Sequence, residues 1–234
     1  MSRYNSTHSI MLSLLATTVM TLMSSEAFSQ PTAVQWWKSY SGADANGPDV
    51  LGYWKFDGEG DAFMADSSSH GHTATERGAK WHANGRFGGC LESSAGYPVV
   101  DDSHSIHVAK SPVLSPRGAF TVEAWIKLKD DATLPKNIRP VLMDSKYVPY
   151  DHTGFMFSLT GAGSEGSRQM SVAIGMGSRS ETWYSQAFEL KPDQWRHVAF
   201  SYNALGTVTF YVDGTELSRV VKTDAGPMAP ATKQ

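Results

Sequence analysis

The feature that most narrows the fold is a run of strict alternation at Phe120–Lys127, FTVEAWIK. Phe120, Val122, Ala124 and Ile126 fall on one side, continued by Leu128, while Thr121, Glu123, Lys127 and Lys129 fall on the other. A period of two belongs to a β-strand, whose successive side chains leave the backbone on opposite faces. With one apolar face, the strand is half-buried. Trp125 stands on the polar side. The same period recurs in Phe155, Phe157 and Leu159, and in Val172 and Ile174. Trp195–Tyr202 and Thr207–Val212 form a pair joined by Asn203-Ala204-Leu205-Gly206, and Asp213-Gly214 supplies a tight turn into Thr215-Glu216-Leu217. No stretch sustains a helical stripe over three turns. Short strands divided by Gly, Pro, Asn and Asp predict an all-β antiparallel β-sandwich over residues 50–220. Its expected core is Phe120, Val122, Ile126, Val198, Phe200, Phe210 and Val212.

The ends read differently. Met1–Ser9 carries one charge, Arg3; Ile10–Met23 is apolar apart from Ser and Thr; a polar stretch follows to Gln30. That pattern predicts a secretory signal peptide over residues 1–29, cleaved after Ala27-Phe28-Ser29. The apolar run falls short of the roughly 20 residues a membrane span needs, so no span is expected after cleavage, and the mature chain is expected outside the cytoplasm, secreted, periplasmic or at the cell surface. Residues 30–49 are a lead-in segment whose apolar landmark is Trp36-Trp37.

Composition removes several function classes. At 41% hydrophobic and 18% charged, the chain can fill a core. A net charge of −3 does not supply the basic surface that nucleic-acid binding needs. With Cys90 alone, an intrachain disulfide and a cysteine-rich zinc site are both impossible. Cys90 is expected to be a buried packing residue.

Five motifs in order carry a resemblance: Leu51–Asp57 (LGYWKFD) as an opening strand; the Ser-rich loop Asp66–His72; Gly85–Leu91 (GRFGGCL); Phe120–Lys127; and Trp195–Phe200 with Phe210–Gly214 (FYVDG). Together they resemble the laminin-G-like jelly-roll domains of the concanavalin A-like lectin/glucanase architecture. The resemblance implies a strand after FYVDG and a further closing strand. Val220–Gln234 is instead rich in Pro, Ala and Gly without a strand pattern. Residues 221–234 are therefore expected to be a tail, and the chain to be C-terminally incomplete or one piece of a longer protein.

Catalysis is not expected. Glucanases of this architecture place two carboxylates on one strand face, acid and nucleophile roughly 5–5.5 Å apart in retaining enzymes. The strand at 121–127 carries only Glu123, with Asp130-Asp131 beyond it. Gly161–Gly166 resembles a nucleophile elbow only superficially, since no helix follows. His70, His72, His82, His104 and His107 lie in loops or at strand starts, which does not suit a catalytic zinc. The resemblance implies calcium at a loop rim, with Asp66 as leading ligand and Asp57 second; against it stands a turn in which Asp66 bonds its own backbone. Seven tryptophans invite sugar stacking. Trp125, beside Glu123 and Lys127, is the first ligand candidate, set against capping by a crossing loop; Trp183 and Tyr184 form the second. Two functions remain: an exported recognition module for carbohydrate or another extracellular ligand, and a structural or adhesion domain making protein–protein contact in a larger cell-surface protein.

Overall fold

A computed structural model describes residues 47–93, 105–129, 139–146, 151–160 and 166–232. The signal peptide, Trp36-Trp37, His104, Asp130-Asp131 and Gly161–Glu165 lie outside the described residues. In chain order the strands are β1 (Ala74–Arg77), β2 (Lys80–His82), β3 (Cys90–Glu92), β4 (Ser105–Val108), β5 (Phe120–Lys127), β6 (Val141–Asp144) and β7 (Phe155–Leu159). They continue as β8 (Ser167–Arg168), β9 (Met170–Gly175), β10 (Ser180–Tyr184), β11 (Phe188–Glu189), β12 (Trp195–Tyr202), β13 (Thr207–Val212) and β14 (Thr215–Val221). Among the described residues, the short 3-10 helices Gly60–Met64 and Pro112–Leu114 accompany them.

The alternation places the strands as expected. The first large sheet runs β14-β13-β12-β5 and the second β10-β9-β7-β6, all antiparallel. In the first, Phe200 sits opposite both Val122 and Phe210. The β13–β14 turn uses Asp213 and Gly214 with φ of 50° and 77°, positive at both positions as a type I′ hairpin requires. The inner faces meet in one cluster. Phe157, Leu159, Met170, Val172, Ile174, Val198, Phe200, Val208 and Phe210 are sealed from water. Phe157 packs on Phe200 with ring centres 5.0 Å apart at 66°, the tilted geometry that aromatic pairs prefer. Phe120, Val122 and Ile126 pack against the same cluster but stay partly exposed, because β5 is an edge strand.

One expectation about the strands needs correction. Leu51–Asp57 is not a strand: it makes one isolated bridge, Trp54 to Asp66. Its backbone is satisfied by other means, with the Tyr53 N–H donating to Asp66 Oδ1 at 2.8 Å and the Phe56 carbonyl accepting from Trp81 Nε1 at 2.8 Å. Among the described residues, the tail after β14 forms no strand, in keeping with its composition, and it packs against the domain. Met228 is sealed, Ala225 and Ala231 are buried, and Ala229 is bonded through the Gly154 N–H and the Gly175 carbonyl.

Candidate functional site

The outward face of β5 and β12 gathers the polar side of the founding alternation. Lys127 stands opposite Trp195, Trp125 opposite His197, and Glu123 opposite Ala199. The Trp125 and His197 rings lie 5.4 Å apart, and His197 Nε2 lies 3.5 Å from Glu123 Oε2. The Lys127 ammonium sits 5.5 Å from the Trp195 ring centre, within cation–π range.

A loop crosses this face. Phe87 meets Trp125 edge-on at 5.4 Å and 85°, and the Arg86 guanidinium lies 5.1 Å from the Trp125 ring and 5.2 Å from Phe87. Trp125 is therefore half-buried under Arg86 and Phe87, the capped alternative, while Phe87 itself is 54% exposed. The glycines of this loop explain its position. A Cβ on Gly89 would stand 2.1 Å from the Phe56 carbonyl oxygen, and one on Gly88 would stand 2.4 Å from Asp57 Oδ1. At Gly89, where the neighbour is main chain, only a residue without a Cβ lets the loop seat against Phe56. Next to it, Tyr53 lies under Lys55 at 5.6 Å. Burial first, then the charges of Asp57 and Glu123, hold its phenol above the usual range, so it keeps its proton at neutral pH.

The other predicted residues separate. Trp183 is fully buried and donates its Nε1–H to the Gly206 carbonyl at 3.0 Å. It is a core residue, not a stacking platform: adjacent strand positions face opposite sides, and only Tyr184, 42% exposed, points out. Asp66 organises its own loop. Oδ1 accepts from the Tyr53 and Ser68 N–H groups, both at 2.8 Å; Oδ2 accepts from Ser68 Oγ at 2.7 Å and the His72 N–H at 2.8 Å. Burial raises its pKa, but the hydrogen bonds from Tyr53, Ser68 and His72 outweigh it and hold the carboxylate below its ordinary range. A cation at Asp66 would compete with four seated donors. Asp57 instead lies against Gly88. Among the described residues, no three His, Cys, Asp or Glu side chains converge on a point where a metal could sit.

The histidines divide as well. His70 and His72 stack 5.7 Å apart, and His82 pairs with Glu92, which also holds Lys129. Cys90 is half-buried rather than sealed, and burial pushes its thiol up, leaving a protonated group.

A sequence profile described as the concanavalin A-like lectin/glucanases superfamily matches residues 101–233. The chain belongs to that superfamily. The match begins after the first three motifs on which the resemblance was read and includes the packed tail. No curated protein matches the chain in sequence. Among solved structures, the binding domain of Paraclostridial Mosquitocidal Protein 1 superposes with a TM-score of 0.51 at 17% identity, covering 71% of this chain and 39% of that one. The Botulinum Neurotoxin serotype G binding domain gives 0.52 at 15%, covering 70% and 38%. This member of the superfamily thus spans less than two-fifths of either toxin chain, and the likeness is one of fold.

Arg86 and Phe87 are the site residues that the sequence reading missed. Their signal was present in Gly85–Gly89: an aromatic and a cation raised between glycines have no core to fill.

Proposed function

We propose that this chain is an exported, non-catalytic recognition module that binds carbohydrate on the outward face of β5 and β12, at Phe87, Arg86 and Trp125. The observation that carries this reading is Phe87: a large aromatic side chain more than half exposed, fixed edge-on by Trp125 and flanked by Arg86. One exposed apolar side chain is ordinary, but Phe87 joins Trp125 and Arg86 in a continuous aromatic and charged patch, which supports a recognition surface. Apolar sugar faces stack on such rings, while the exposed Arg86 and Glu123 offer partners to hydroxyls. Membership of a superfamily that includes lectins supports the reading. The lone carboxylate of β5, Glu123, speaks against glycoside hydrolysis, which requires an opposed pair.

The test is a glycan array followed by tryptophan-fluorescence titration. Phe87→Ala should abolish binding and Tyr184→Ala should preserve it. Loss in both, or in neither, would remove the assignment of the site. A protein silent on glycans that captures a defined extracellular protein belongs to the second reading, adhesion. Val141 and Met143 favour that reading, since both are exposed on β6, at an edge of the second sheet.

A further inference from the structure

Lys146 is 3% exposed, yet no part of the proposed recognition face uses it. A buried ammonium is costly unless every proton finds an acceptor and opposite charge lies near. Both conditions are met. Lys146 Nζ donates to the Asp151 carbonyl, to the Thr153 carbonyl at 3.4 Å and to Ser180 Oγ at 3.0 Å. Burial pulls the Lys146 pKa below its ordinary value, and the nearby carboxylates of Asp151 and Asp144 offset part of that by favouring the charged form. Asp144 Oδ1 also accepts the Lys146 main-chain N–H at 2.7 Å. Two carbonyls, a hydroxyl and two nearby carboxylates are the donor types that bind a hard cation.

An ammonium has three N–H donors for the two carbonyls and Ser180 Oγ, whose own O–H donates to the Asp151 carbonyl at 3.3 Å. Ser180 Oγ also lies 3.2 Å from His152 Nδ1, which superficially suggests a nucleophile with a base. An ammonium held by three acceptors has no lone pair with which to take the Ser180 proton.

We propose that the Lys146 ammonium is a built-in cation, seated in an oxygen cage that accepts a small inorganic cation once the lysine is removed. The cage fixes residues 151–154, which form the seat of the C-terminal segment. The Gly177 N–H donates to the His152 carbonyl at 2.6 Å, the Gly154 N–H to the Ala229 carbonyl at 2.8 Å, and the Thr232 N–H to Thr153 Oγ1 at 3.3 Å. Filling the cage therefore orders both the loop and the tail that crosses it.

The experiment is thermal melting of Lys146→Ala in sodium, potassium, ammonium and calcium chlorides at matched ionic strength, with wild type and Lys146→Met as controls. A ligand that binds only the folded state raises the melting temperature with concentration. Lys146→Ala should melt lower than wild type and recover selectively with one of these cations. Lys146→Met, whose side chain fills the space, should show no selective recovery. Equal salt responses in all three proteins would overturn the proposal. Should Lys146→Ala fold only when a cation is present, that dependence is itself the expected result; should it fold in none, reductive methylation of the wild type decides. Lys146 must then resist modification while Lys129 and Lys191 react, and equal reactivity would overturn the cage.

Discussion

Two apolar clusters in this molecule are held together by different means. The large one, between the four-stranded sheets, is made of side chains sealed from water, from Phe157 and Met170 to Phe210 and Met228. The smaller contains only Phe63, Met64 and Ala74 as buried residues, with Trp54, Phe56, Trp81, Leu91, Ile106 and Val108 partly covered. Its order comes from side chains reaching the main chain: Asp66 to three N–H groups, Trp54 Nε1 to the His72 carbonyl at 2.9 Å, and Trp81 Nε1 to the Phe56 carbonyl. Burial holds the first and directed polar contacts hold the second. Apolar burial is roughly proportional to area and tolerant of direction, whereas hydrogen bonds fail sharply when one partner is lost.

The contrast can be broken in order of effect. Phe210→Ala, in the sealed cluster, should cost about 3–5 kcal/mol in urea titration; a loss below ~1 kcal/mol would contradict the sheet register that points Phe210 inward. Asp66→Ala should cost about 2–3 kcal/mol, since three main-chain donors lose a charged acceptor. If it matched Phe210→Ala in size, the two clusters would no longer differ in kind.

Asp66 also sets a pH dependence. Its folded pKa is depressed, so its stabilisation is full above the unfolded carboxylate range near pH 4 and lost as pH falls through the lower folded value. The margin of wild type over Asp66→Asn should shrink only in that acid window. Millimolar calcium should leave the melting temperature unchanged; a chelator-reversible rise would instead mean that a cation displaces the donors on Asp66.

Trp81→Phe keeps the apolar body and removes one hydrogen bond, for a cost of about 1 kcal/mol. Hydrogen exchange should show that loss locally, around residues 53–57, and not in β12 or β13. Leu205→Ser, at a hairpin tip where the side chain is 73% exposed, should stay within about 0.5 kcal/mol of wild type.

Much of the first sheet was legible because alternation encodes both strand identity and facing. Val198, Phe200, Phe210 and Val212 are buried as their positions required. Trp183 shows where the code stops. Parity says that Trp183 and Tyr184 face opposite ways, but which face is inside depends on the sheet packed against it. The opening segment misled for a related reason: its residues favour a strand, but Asp66 and Trp81 occupy the main-chain groups that a neighbouring strand would have used. The site was half legible. Trp125 stood on the polar face as read, while its cover by Arg86 and Phe87 depends on a loop distant in sequence and seated by two glycine contacts.

By itself the sequence determined an all-β chain of alternating strands, the position of the Asp213-Gly214 turn and the inward set of the first sheet, because these follow from a local period of two and from local backbone preference. Only the tertiary structure decided that Trp183 belongs to the core, that Phe87 stands exposed over Trp125, that Asp66 is committed to its loop, and that Lys146 fills an oxygen cage beneath the tail. Each of these depends on which distant groups exclude water or supply the missing hydrogen-bond partner, and no local pattern carries that information.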